Sequence, residues 1–186
     1  MKKRKDYLMV VLTVILLVIG SSSSAFAKTS EVNHPELNYV VLMKLDGVCG
    51  ESKRTGYSDN WTELTGVDFG VVNAATSVQG AGEKAGKAQM DHFTISKQFD
   101  CSSIPLLIDS LSGNHIKNGQ LIFLKRSDDG VKMYIYLKIE LTDVSIYEYQ
   151  FDNVYETISL SAGQINFIYP SLDEQGGWDF KENMKR

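Results

Sequence analysis

After residue 36 the chain alternates apolar and polar residues with a period of two through most of its length, the pattern of half-buried strands. In "LNYVVLMKL" the set Leu37, Tyr39, Val41, Met43 and Leu45 alternates with Asn38, Val40, Leu42 and Lys44, and "DGVCGES" then breaks the run with two glycines. "NWTELTGVDFGVV" predicts a second strand. Trp61, Thr65, Val67 and Phe69 fall on one face and Thr62, Gly66 and Asp68 on the other, with Leu64 on the polar side. Residues 74–88, "AATSVQGAGEKAGKA", hold three glycines and five alanines and no apolar anchor larger than one valine. This composition predicts a long loop.

"QMDHFTISKQF" resumes the alternation, with Phe93, Ile95 and Phe99 on one side. In "CSSIPLLIDSLSGNHI" the period changes. Leu106, Leu107, Ile108 and Leu111 cluster, Ser102 or Ser103 can cap, Pro105 fits the first turn and Gly113 the stop, so one helix of two to three turns is expected. "GQLIFLKR" and "VKMYIYLKIELTDVSIYEYQF" flank Asp129-Gly130, a hairpin turn pair in which glycine accepts positive φ. The second arm sets Met133, Ile135, Leu137, Ile139 and Leu141 against Lys132, Tyr134, Tyr136, Lys138 and Glu140. "ETISLSAGQINFIY" and "GGWDF" add two more strands. The inventory is mainly β, a small barrel or tight sandwich with one short α-helix.

The first residues follow another rule. Lys2-Lys3-Arg4-Lys5 precedes an apolar run from Tyr7 to Gly20 and then Ala25-Phe26-Ala27, which together have the form of a signal peptide spanning residues 1–27. The apolar run of about 14 residues falls short of the roughly 20 that a spanning helix needs, so an uncleaved anchor is the alternative reading. Residues 28–36 read as a flexible lead-in and residues 37–186 as one domain. Losing residues 1–27 moves the net charge from −4 to −7, and such a chain has no basic footprint for nucleic acid or anionic lipid. A secreted or periplasmic location is expected, with no membrane association after cleavage. In that compartment Cys49 and Cys101 are a candidate disulfide closing a loop of about 50 residues; two unrelated buried thiols are the alternative.

No constellation points to catalysis. "GAGEKAGKA" differs from a phosphate loop, because Ala81 stands five residues before Gly86 where glycine is required and Ala88 follows Lys87. His34, His92 and His115 lack paired ligand spacing, no Gly-x-Ser-x-Gly elbow occurs, and Asp128-Asp129 is accounted for by the turn. Tyrosines 134, 136, 147 and 149 could stack on sugars if they formed an exposed row, but aromatics also simply suit strands. The expectation is a non-enzymatic protein without cofactor or metal.

The order of elements from Leu42 to Phe180 resembles the haemolysin-coregulated protein (Hcp) family, the tube subunit of type VI secretion systems. "LMKLDGVCGES" is similar to that family's opening strand and Gly-Glu-Ser turn, and "ELTGVDFGV" to its second strand ending in aromatic-Gly. "GAGEKAGKAQMDHFTISKQFD" resembles its glycine-rich loop followed by Phe-Thr-x-x-Lys and an aspartate. "SIPLLIDSLSGNHI" is similar to its helix and Gly-x-His, "YLKIELTDVSIYEY" and "ETISLSAGQINFIY" to its two long strands, and "GWDFKEN" to its closing segment.

The resemblance implies a two-sheet β-barrel that associates into hexameric rings, which stack into a tube able to carry effector proteins and to meet a valine-glycine repeat spike protein. It assigns ring stacking to the loop with Gly80, Gly82, Gly86 and Lys87, and the lumen to the face of the second strand bearing Gly66 and Asp68. Two features depart from the family pattern: the export signal, and Val67 where a second aromatic usually stands. The function expected is therefore a ring, tube or effector-carrier subunit. The alternative is a stand-alone secreted binding module acting on a host or envelope ligand.

Overall fold

Among the described residues eight strands and one α-helix form, the strands largely following the alternation. The structure, a computed structural model, describes residues 39–73 and 87–186; the expected signal peptide over 1–27, the expected lead-in over 28–36 and loop glycines Gly80, Gly82 and Gly86 lie outside them. The elements are β1 (Tyr39–Leu45), β2 (Thr62–Asn73), β3 (Ala88–Gln98), α1 (Ser103–Ser112), β4 (His115–Arg126), β5 (Met133–Asp152), β6 (Tyr155–Tyr169), β7 (Glu174–Asp179) and β8 (Met184–Lys185). Their order in the sheet is β3-β2-β1-β4-β5-β6-β7-β8, and a further β3–β6 pairing closes the first six into a barrel. All pairings are antiparallel.

The main core fills the barrel with Met43, Leu45, Phe93, Ile95, Leu121, Ile139, Leu141, Val144, Ile158 and Leu160, and Leu106 of α1 enters it from one flank. A smaller cluster lies on the opposite face of β1 and β4, where Trp61 and Tyr57 cover Leu42, Ile122 and Leu124. The 46–61 segment is thus a flap over the outer sheet, closed by the bond from Ser52 N to Trp61 O at 2.7 Å.

Two bulges correct the simple alternation. A register shift between Leu64 and Gly66 adds one residue to β2 and exchanges its faces. Leu64 is buried in the core with Phe93 and Ile95, Thr65 is exposed, and Trp61 belongs to the outer cluster. A second shift between Phe123 and Leu124, across from β5, sends Ile135 to the outer cluster while Leu137 stays with the barrel. Tyr136 instead packs on Tyr39 and Phe123.

The helix also differs in detail. Ser102 holds the N-cap position without a side-chain capping bond, and Gly113 ends the helix with φ 66°. Of the clustered apolar residues only Leu106 is fully buried, whereas Ile108 and Leu111 are exposed. Phe99 lies beyond the end of β3, exposed, and stacks on Phe151.

Candidate functional site

Past the bulge, β2 turns its small and polar residues away from the core. Gly66 pairs with Ser96, Asp68 with Thr94 and Gly70 with His92 on β3. Thr94 and Ser96 pair in turn with Ser159 and Thr157 of β6, which face Glu148 and Gln150 of β5. The order β2-β3-β6-β5 therefore presents one polar face across four strands, opposite the barrel core. Side chains on it bond laterally: Thr94 with Ser159 at 3.4 Å, Ser159 to Glu148 at 3.3 Å and Gln150 to Glu148 at 2.7 Å. Gly66 and Asp68, expected to share a face on β2, both sit here. Lys87 is exposed just ahead of β3.

His92 lies near the β2 end of this face. Its ring lies over Gly70, where a Cβ would come within 2.6 Å of His92 Cε1. Nδ1 is 3.0 Å from Asp91 and Nε2 3.4 Å from Asp68. The bond to Asp91 is the largest influence and, with a weaker one to Asp68, holds the imidazole above its ordinary value against the opposing effect of burial. The alternation predicted neither contact, because Asp91 and His92 are neighbours at a register shift between Gly70 and Val71.

Both outer edges of this four-stranded patch lack partners among the described residues. β1 pairs with β2 only as far as Leu64, so Gly66–Asn73 has β3 alone. β4 pairs with β5 up to Ser145, so Ile146–Asp152 has β6 alone. Such edges expose unpaired N–H and C=O groups that favour association.

Behind the patch, at the start of α1, lies a buried ionic cluster. Lys97 continues the inward series Phe93, Ile95 and is fully buried, as is Glu156 on β6. The Lys97 ammonium donates to Glu156 Oε2 at 2.5 Å, Ser103 Oγ at 2.9 Å and the Gln98 carbonyl at 2.9 Å, with Asp100 Oδ1 also 2.9 Å away. The Tyr149 hydroxyl donates to the other oxygen of Glu156; burial and that carboxylate hold its phenol far above the ordinary tyrosine range. Every charge in the cluster has a partner, which is what lets it stay buried. The alternation alone would have found Lys97, two residues after Ile95, as an inward position.

Next to it, Cys49 and Cys101 have Cα atoms 5.9 Å apart, inside the roughly 4.4–6.8 Å that a disulfide spans. Cys101 N bonds Glu51 Oε1 at 3.0 Å, tying the flap to the helix start. The four tyrosines form no row. Tyr134 and Tyr147 are exposed, Tyr136 stacks at the far end of the barrel and Tyr149 turns into the ionic cluster. His115 bonds Asp143 at 2.7 Å on the surface.

A family model described as "Type VI secretion system effector, Hcp" matches residues 42–169. Among solved structures the fold is similar to that of a type six secretion system protein, at 24% identity over 80% of this chain and 99% of that one, with a TM-score of 0.67. It is also similar to Hcp1 from Salmonella typhimurium, at 24% identity over 81% and 100%, with a TM-score of 0.63. For a type VI secretion system effector from Yersinia pestis the figures are 23%, 75%, 98% and 0.58. No curated protein sequence matches. No helix among the described residues is long and apolar enough to cross a membrane. With most of the barrel inside the family match, the chain belongs to the Hcp family of type VI secretion systems.

Proposed function

We propose that the polar four-stranded patch is one segment of a tube wall, and that the chain assembles through its two free edges into the hexameric ring that the family resemblance implies. The observation that carries this reading is the pair of free edges flanking a single polar face. Within the patch β2 and β5 run in opposite directions, since each neighbouring pair is antiparallel. The β5 edge of one copy can therefore pair with the β2 edge of the next without breaking the antiparallel pattern, and every polar face then lies on the same side. Different surfaces meet at such a contact, and a ring is its closed solution.

In this reading Gly66, Asp68, Gly70, His92, Thr94 and Glu148 line the lumen, a wet surface of small side chains suited to passing an effector protein. The segment with Gly80, Gly82, Gly86 and Lys87 reaches toward adjacent subunits or rings, and an end ring meets the spike protein. Residues 1–27 direct export and are removed after Ala27, and Cys49 and Cys101 are bridged in the oxidising compartment. The catalytic role is none.

Native mass spectrometry of the protein purified from its own culture tests both parts. A six-membered species beginning at Lys28 is expected. A monomer at tens of micromolar would sink the ring and favour a stand-alone binding module; an intact Met1 would overturn the export reading.

A further inference from the structure

Among the apolar residues exposed in the described part of the chain, two sets each flank one of the free edges. On α1, Ile104, Ile108 and Leu111 are 56%, 54% and 75% exposed; their spacing of four and then three residues puts them on one face, while Leu106 enters the core from the other. On β2, Phe69 and Val71 are 38% and 59% exposed. They lie on the core side of the strand, since Phe69 touches Phe93 and Phe167 and Val71 pairs with Met90, which packs against the core.

The helix runs beside the free half of β5. It starts after the end of β3, where Gln98 pairs with Tyr155 and Tyr155 with Asp152, and the chain leaves it at His115, partner of Ser145. Leu106 in the core puts α1 on the side of the sheet opposite the polar face. Phe69 and Val71 are on that same side.

We propose that the exposed row of α1 packs against Phe69 and Val71 of a second copy of this chain, forming an apolar seam behind the paired strand edges. The inference rests on the ring reading above and adds to it the surface that holds neighbours together. Pairing the β5 edge with a neighbour's β2 edge brings the neighbour's core-side residues to the side where α1 stands. The ten residues of α1 extend about 15 Å, against ~13 Å from Val67 to Val71 on the strand, so one helix covers that stretch. A second copy, rather than another protein, is the occupant because both halves of the seam are on this chain, on one side of one sheet. Strand pairing alone gives little discrimination, whereas a side-chain seam fixes which edges meet.

The test compares wild type with Ile108→Asp/Leu111→Asp by native mass spectrometry and sedimentation, with circular dichroism to check the fold. The wild type is expected to form rings, and the variant to keep its spectrum while ring assembly needs at least tenfold more protein. In parallel, Leu111→Cys and Val71→Cys single variants are mixed under mild oxidation. A cross-linked dimer is expected from this mixture, and none when Val131→Cys, 76% exposed at the β4–β5 turn, replaces Val71→Cys. Rings that assemble unchanged in the aspartate variant, or equal cross-linking to Val131→Cys, overturn the seam while leaving the ring intact. A wild-type monomer removes the ring and the seam with it.

Discussion

Lys97 and Glu156 form an ion pair at 2.5 Å in which both side chains are fully buried. The pair joins β3 to β6 at the point where these strands close the barrel, and Ser103 carries the contact to α1. Removing Lys97 leaves the Glu156 carboxylate in the core without its counter-charge, and removing Glu156 leaves Lys97 with Asp100 in place of its fully buried partner. Glu156→Gln or Lys97→Met should each cost about 3–5 kcal/mol, and Lys97→Met/Glu156→Leu should recover part of that loss. Urea unfolding of the three variants measures this. Equal stability of the single variants and wild type would mean that the cluster is solvated.

The proposed Cys49–Cys101 bridge closes a loop with a sequence separation of 52. Reduction should lower stability by about 2–4 kcal/mol, chiefly by freeing the unfolded chain. Alkylation with and without reductant, read by mass, decides the redox state first. Two thiols reactive before reduction in exported protein would remove the bridge.

His92 should titrate above its ordinary value of 6.5, with Asp91 as the largest cause and the weaker pull of Asp68 adding to it against burial. Because its folded value lies above the unfolded one, the stabilisation from its protonation is complete below about pH 6.5 and disappears as the pH rises through the folded value. Nuclear magnetic resonance of the imidazole Cε1–H should show the raised titration in wild type and a clear fall in Asp91→Asn. Asp68→Asn should lower it less; the reverse order would contradict the geometry.

Gly50 lies in one arm of the flap, packed against the other arm at Asn60 and Trp61. A Cβ there would lie 2.4 Å from the backbone carbon and oxygen of Trp61, so Gly50→Ala must push the two arms of the flap apart and shift Trp61. A loss of about 1–3 kcal/mol is expected, with tryptophan emission shifted to the red as Trp61 gains water. Unchanged emission and stability would mean that the flap yields at no cost.

How much of this was legible beforehand can be judged from single residues. Phe93, Ile95, Ile139 and Leu141 follow from alternation alone, because successive side chains of a strand point to opposite faces and these four recur on one apolar face. Gly113 marked the helix end for a similarly local reason, its positive φ. Leu64, Thr65, Ile135 and Tyr136 were misassigned because each lies at a bulge, and a bulge is set by how two distant strands fit together. Ile108 and Leu111 cluster with Leu106 in the sequence; their exposure follows from where α1 meets the barrel.

The sequence by itself determined the strands, the hairpin turn, the single helix and the order of motifs, all of which depend on residues within a few positions of one another. Only the tertiary structure decided that Lys97 meets Glu156, that Cys49 lies beside Cys101, and that β2 and β5 end as free edges of one polar face. Those relationships join residues 50 or more positions apart or depend on where a neighbouring strand stops. They arise when the barrel closes, and no local pattern in the chain encodes where that closure falls.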